Sequence, residues 1–191
     1  LLCRVTGFDR VFFANSGAEA NECLIKLARK YSFDRYGKGR STIVTLQNSF
    51  HGRTVTTLSA TGQEAFHDYF FPFTDGFRFT PPNDSAAMEA ALADDVCAVL
   101  LEAVQGEGGV YPLDPDFVAK TAALAKKKDI LLLFDEVQTG IGRTGTFFAF
   151  EQYGVEPDAV SSAKAIAGGL PMGAALCAKK LAGVLTPGTH A

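Results

Sequence analysis

A chain of 191 residues with 47% hydrophobic content can bury a real core as one domain. A net charge of -3, with acids and bases interspersed, excludes a nucleic-acid or anionic-membrane surface as the main partner, and no apolar run is long enough to span a bilayer. Cys3, Cys23, Cys97 and Cys177 lie far apart without CxxC spacing, the pattern of reduced core thiols in a cytoplasmic protein, and His51, His67 and His190 are too scattered for a zinc site.

In chain order, residues 1–10 read as a helix end and a turn, followed by a short strand at Val11-Phe12-Phe13. Asn15-Ser16-Gly17 leads into a helical pattern from Ala18 to Tyr36, with Leu24, Leu27, Ala28 and Tyr31 on one face and Gly37-Lys38-Gly39 as its stop. Thr42 to Leu46 is the next strand, ending at Asn48-Ser49-Phe50-His51-Gly52-Arg53. The Phe-rich stretch 61–82 reads as a packed loop with a short strand near Phe77-Arg78-Phe79. An Asn83-Asp84 cap opens a helix over 85–93. Val96 to Leu101 is a strand running into Glu102 and the loop Gln105-Gly106-Glu107-Gly108-Gly109. Pro115 starts a helix that ends in Lys126-Lys127-Lys128, where cations suit the dipole. The apolar run Ile130 to Phe134 is a strand buried on both faces, delivering Asp135-Glu136-Val137-Gln138. A strand over 159–161 precedes Ser162-Ala163-Lys164, and a glycine loop over 168–173 precedes a last strand over 174–178. The sequence begins at Leu1 and stops at Thr189-His190-Ala191 without a closing element, as a piece of a longer protein does.

Strands alternating with helices predict an α/β fold with a mostly parallel sheet flanked by helices, and in such sheets ligands bind beyond the carboxyl ends of the strands. Every polar motif above follows a strand, so the motifs share one rim and one site. Asp135 stands where a carboxylate meets a ligand cation, or simply caps a turn. Ser16, Gly17 and Ala18 open a long helix whose free N–H groups suit a phosphate, or form an ordinary N-cap with Glu19. Lys164, among small residues, has room for a ligand above it and becomes a nucleophile if partly dry, or is a solvated lysine. Phe50 can cover a flat ring or pack in the core. Arg53 offers a two-pronged grip on a carboxylate or makes a surface ion pair. Glu102 and Glu107 flank a glycine loop, as site acids or mere loop charges. Together, a phosphate cradle, a ring-stacking aromatic, a strand-end acid and an isolated lysine are what pyridoxal phosphate requires.

These motifs also carry a resemblance. Phe13-Ala14-Asn15-Ser16-Gly17-Ala18-Glu19-Ala20-Asn21-Glu22, Phe50-His51-Gly52-Arg53-Thr54, Gln105-Gly106-Glu107-Gly108-Gly109, Phe134-Asp135-Glu136-Val137-Gln138-Thr139-Gly140 and Ser162-Ala163-Lys164-Ala165 resemble the class III pyridoxal-phosphate-dependent aminotransferases over essentially the whole chain. Within that family they stand nearest the members acting on N-acetylornithine, with those acting on ornithine a step further off. The resemblance implies a fold type I large domain, with residues 1–191 as its central part and both an N-terminal segment and a small C-terminal domain lying outside the chain. It also implies a cytoplasmic homodimer that moves an amino group from a small-molecule donor to 2-oxoglutarate in arginine biosynthesis.

By position, Lys164 resembles the lysine that bonds to the cofactor, Asp135 the partner of the pyridine nitrogen and Gln138 the neighbour of the phenolic oxygen. Ser16, Gly17 and Ala18 resemble the phosphate loop, Phe50 the stacking ring, and Glu136 and Val137 further cofactor contacts. Arg53 resembles the arginine that holds a substrate carboxylate, and Glu107 the acid that shields a second arginine. Glu102 is expected to support Asp135. Ala103 departs from the family's usual proline. Two alternatives remain: another class III member using ornithine, succinyldiaminopimelate or 4-aminobutyrate, and a non-catalytic phosphate-binding α/β domain. Against the latter stands the absence of G-x-G-x-x-G and G-x-x-x-x-G-K-[ST] patterns.

Overall fold

Apolar runs too short for helices and rich in Val, Ile and Leu become the strands of one sheet, and the computed structural model, which describes residues 1–190, sets them side by side. After a short helix α1 (Leu2–Thr6) come β1 (Arg10–Ala14), α2 (Gly17–Tyr36), β2 (Thr42–Leu46) and α3 (Val55–Ala60). Then follow β3 (Phe77–Thr80), α4 (Ser85–Ala91), β4 (Val96–Leu101) and a two-stranded hairpin of β5 (Val104–Gln105) and β6 (Tyr111–Pro112). The chain continues through α5 (Pro115–Lys127), β7 (Leu131–Asp135), β8 (Ala159–Ser162) and β9 (Gly173–Cys177). The large sheet has the order β1-β9-β8-β7-β4-β2-β3; all neighbours pair parallel except β9, which runs antiparallel to both β1 and β8.

The pleat sorts the core into two layers, because alternate residues of a strand point to opposite faces. On one face, Leu131 and Leu133 of β7 join Leu24, Ile25 and Ala28 of α2. On the other, Leu132 and Phe134 join Met88 of α4 and Phe117 and Val118 of α5. Asp135, next in the odd series, falls on the α2 face, and Glu136 falls on the other.

Most elements match those expected, with small shifts in bounds, while the β5–β6 hairpin brackets what was read as a loop. α4 ends at Ala91, two residues early, and the last strand is offset by one. α3 was not foreseen, because Val-Thr-Thr-Leu-Ser-Ala is poor in helix formers. Its stability comes from the reciprocal cap between Thr54 and Thr57.

Candidate active site

Strand register places the site. Ala14, the end of β1, pairs with Gly173, the start of β9; Ser162 of β8 pairs with Ala174; Asp135 of β7 pairs with Ser161. The segments after β1, β2, β4, β7 and β8, and the loop before β9, therefore leave the sheet along one rim. A cavity of about 520 Å³ opens there, within the usual range for small-molecule sites. Its walls include Ser16, Gly17 and Ala18 from the start of α2, Phe50 and Arg53 after β2, and Glu102 and Glu107 around the loop after β4. Asp135, Val137 and Gln138 come from the end of β7, Lys164 follows β8, and the loop before β9 contributes Leu170 and Met172. Among the site residues expected from sequence, Glu136 alone does not line it.

Asp135 is 4% exposed, and its carboxylate is held on all sides. Asn21 donates to Oδ2 at 2.7 Å, His51 Nδ1 lies 2.8 Å from the same oxygen, and the Val137 N–H donates to Oδ1 at 3.0 Å. The Ser161 hydroxyl adds a longer contact to Oδ1 at 3.4 Å. A carboxylate with this many donors is fixed in direction and ready to meet a cation without rearranging.

Neither Asn21 nor His51 was singled out from sequence. Asn21 left a legible trace: it sits on the same helical stripe as Leu24, Ile25 and Ala28, where a polar residue is out of place unless it has a buried task. His51 left none, since a buried histidine beside a glycine reads equally well as packing. Burial pulls its pKa down, but the hydrogen bond and charge of Asp135, with the charge of Glu102, more than offset this and hold the imidazole above its usual range.

Glu102 is 5% exposed and accepts the Phe50 N–H at 3.0 Å. Burial, with the charge of Asp135, raises its carboxyl to about 7, against the opposing pull of His51, the Phe50 N–H and Lys164. It does stand beside the Asp135 cluster, acting through charge and through the backbone of Phe50.

At the start of α2, the Ser16 hydroxyl accepts the Glu19 N–H at 3.2 Å and the Ser16 carbonyl accepts the Ala20 N–H at 3.1 Å. The first two helical N–H groups, those of Gly17 and Ala18, have no acceptor within the helix, an arrangement that suits an anion. The Ser16 hydroxyl also donates to Glu19 Oε2 at 3.0 Å, and hydrogen bonds from Asn15 and Ser16 hold the Glu19 carboxyl below its usual range. Gly17 is required by close approach: a Cβ there would lie 2.7 Å from Val137 Cγ1. A Cβ on Gly106 would likewise lie 2.8 Å from Gln138 Cγ, so this glycine lets Gln138 reach the cavity.

Lys164 has φ of 51°, a left-handed conformation that strains a non-glycine residue and that folds retain chiefly at functional positions. Phe50 is half-buried, its ring edge-on to Phe66 with centroids 5.9 Å apart, and the Arg53 guanidinium lies 5.5 Å from the Phe50 centroid.

Glu136 points the other way, as its place in the pleat dictates. Fully buried, it accepts the N–H groups of Ala149 and Phe150 at 3.1 and 2.8 Å and the hydroxyl of Thr139. Burial raises its carboxyl despite those donors. Its task is to hold the turn at Ala149–Tyr153 against β7.

Comparison with known proteins gives this architecture relatives. Residues 1–191 match the family model "Aminotransferase class-III". An acetylornithine aminotransferase of Haemophilus ducreyi is 58% identical over 190 residues, which cover 99% of this chain and 48% of that protein. Among solved structures, the ornithine aminotransferase of Toxoplasma gondii superposes with a TM-score of 0.94 at 35% identity, over 99% of this chain and 46% of that one. The N-acetylornithine aminotransferase of Stenotrophomonas maltophilia superposes with a TM-score of 0.81 at 40% identity, over 97% and 46%. The chain thus spans about half the length of these relatives.

Proposed function

The chain belongs to the class III aminotransferases, and from that premise we propose that it is the central part of the large domain of a pyridoxal-phosphate-dependent transaminase, with N-acetylornithine as donor and 2-oxoglutarate as acceptor. The observation that carries this reading is the single cavity shared by Lys164, Asp135 and the first turn of α2. The donor set fits the cofactor: free N–H groups at a helix start for its phosphate, a fixed carboxylate for its ring nitrogen, and an amine for its aldehyde.

When bound, pyridoxal phosphate supplies an aldehyde that bonds to amines and a ring that withdraws electrons from the carbon bearing the amino group. Asp135, anchored by Asn21, His51 and the Val137 N–H, holds positive charge on the ring nitrogen. Lys164 would hold the cofactor's aldehyde through its amine, and its Nζ is the group that would take the proton from the substrate carbon and hand it back. Phe50 would cover the ring, and Gln138 would serve its phenolic oxygen. Arg53 grips a substrate carboxylate in a two-pronged hydrogen bond, and Glu107, which also lines the cavity, is the acid that shields a second arginine.

The donor assignment is supported by the acetylornithine aminotransferases among the relatives at 47–58% identity. Ornithine is a second reading, favoured by the ornithine aminotransferase superposition; comparing turnover of acetylated and free ornithine by the full-length protein decides between them. A homodimer is proposed with it, supported by Tyr69, Phe70 and Phe71, which stay 69, 67 and 72% exposed. A cytoplasmic setting is supported by four cysteines left as thiols among the described residues and by the lack of any helix there long and apolar enough to cross a membrane.

The test is borohydride reduction of the full-length protein in the presence of pyridoxal phosphate, followed by peptide mapping. A single adduct on Lys164, lost in Lys164→Ala, is expected. An adduct on another lysine refutes the assignment, and no adduct at all favours a non-catalytic phosphate-binding domain.

A further inference from the structure

Arg53 lines the cavity but forms no ion pair and no hydrogen bond with any described residue, so its aim is set by its backbone and by the Phe50 ring beside it. That backbone is tied down on both sides by adjacent residues of one helix. Asn21 Nδ2 donates to the His51 carbonyl at 2.8 Å, two residues before Arg53. Glu22 Oε1 accepts the Thr54 hydroxyl at 2.5 Å, one residue after it. Between the two ties the chain has no slack. Gly52 has φ of 139°, and a Cβ there would lie 2.5 Å from Thr57 Oγ1 and 2.9 Å from Ala18 Cβ. Thr54 in turn caps α3, with its N–H donating to Thr57 Oγ1 at 3.2 Å.

We propose that Asn21 and Glu22 form a two-point clamp on the loop 51–54, and that Glu22, through Thr54, is the positioning residue that aims the Arg53 guanidinium at a substrate carboxylate. Glu22 does not line the cavity and touches no reacting atom; it acts only by fixing where Arg53 stands. Asn21 shares its Nδ2 group between the loop and Asp135, so the clamp also ties the distance from Arg53 to Asp135 to the rigid backbone of α2. A guanidinium pre-aimed in this way gains carboxylate affinity by avoiding reorganisation on binding. The inference rests on the proposed role of Arg53 and goes beyond it by naming what holds that residue.

The test uses the full-length protein and two probes. The first is calorimetric binding of glutarate, a dicarboxylate that cannot accept an amino group. The second is the single-turnover rate with a simple primary amine that has no carboxylate for Arg53 to hold. Arg53→Ala is expected to weaken glutarate binding severely. Glu22→Ala and Thr54→Val are each expected to weaken it about tenfold, a part of the roughly hundredfold that a full ångström of misplacement costs. Glu22→Gln, which keeps an acceptor oxygen for Thr54, should stay within about twofold of the parent, and the amine rate should be unchanged in all the Glu22 and Thr54 variants. If Arg53→Ala weakens glutarate but Glu22→Ala and Thr54→Val do not, the clamp is refuted and the role of Arg53 stands. If Arg53→Ala leaves glutarate binding intact, the role of Arg53 falls and the clamp with it. Equal losses with glutarate and with the amine would make Glu22 a general structural residue and also overturn the proposal.

Discussion

The contact between Gly17 and Val137 offers a steric test of how the proposed phosphate end of the cavity is built. In Gly17→Ala the new methyl would lie 2.7 and 2.9 Å from the two γ-carbons of Val137, against about 3.5–4.0 Å for relaxed carbon contacts. Valine cannot swing aside cheaply, because its branched side chain has one strongly preferred rotamer. Relief must come from moving the start of α2 or the backbone of Val137. The second route disturbs the Val137 N–H that donates to Asp135 at 3.0 Å, and either route shifts the cavity wall. Overpacking of this kind costs about 1–3 kcal/mol, which, expressed in binding, is about five- to 150-fold in affinity. The assay is titration of the cofactor-free full-length protein with pyridoxal phosphate, followed by absorbance. Gly17→Ala should weaken binding by roughly ten- to a hundredfold. Val137→Ala added to it should restore most of the loss, a coupling expected only of residues in contact. Unchanged affinity in Gly17→Ala, or no recovery in the double variant, would refute the reasoning.

Two further outcomes follow from the buried acids. Glu136→Ala strands two buried N–H groups and a hydroxyl, and should cost about 3 kcal/mol or more in urea unfolding while leaving the cofactor absorbance unchanged; a lost cofactor spectrum with intact stability would return Glu136 to the site. Glu102, with a carboxyl raised from 4.5 to about 7, stays protonated in the fold where the unfolded chain ionises, so the unfolded state binds fewer protons and stability falls as pH rises from about 4.5 to about 7. At 1.36 kcal/mol per pH unit the fall attributable to this group is about 3 kcal/mol. Glu102→Gln, which keeps an acceptor for the Phe50 N–H, should flatten it, and parallel pH–stability curves for parent and variant would count against the assignment.

The sheet and its rim were legible because they rest on short-range signals. The run Ile130 to Phe134 is apolar at every position, as a strand covered on both faces must be, and Asp135 marks where that cover ends. What sequence alone leaves open turns on the parity of a single pleat. Asp135 and Glu136 are adjacent acids at one strand end, and which of them faces α2 depends on which face of β7 that helix covers. The supporting residues were harder still. Asn21 lies 114 positions from Asp135 and His51 lies 84 positions from it, and no local pattern announces a pairing across such distances.

The antiparallel insertion of β9 has a consequence for how the molecule assembles. β1, which delivers the chain to the proposed phosphate cradle, pairs among the described residues with no strand other than β9, and their partners run from Arg10 with Cys177 to Ala14 with Gly173. A ribosome must therefore have extruded nearly all of this stretch before the first strand can find its neighbour. Contacts so remote in sequence are slow to close, so this pairing is expected to form after that of β2, β4 and β7. A ligand that recognises only the finished cradle would drain the half-closed population toward the native state, and on the proposed function that ligand is the cofactor.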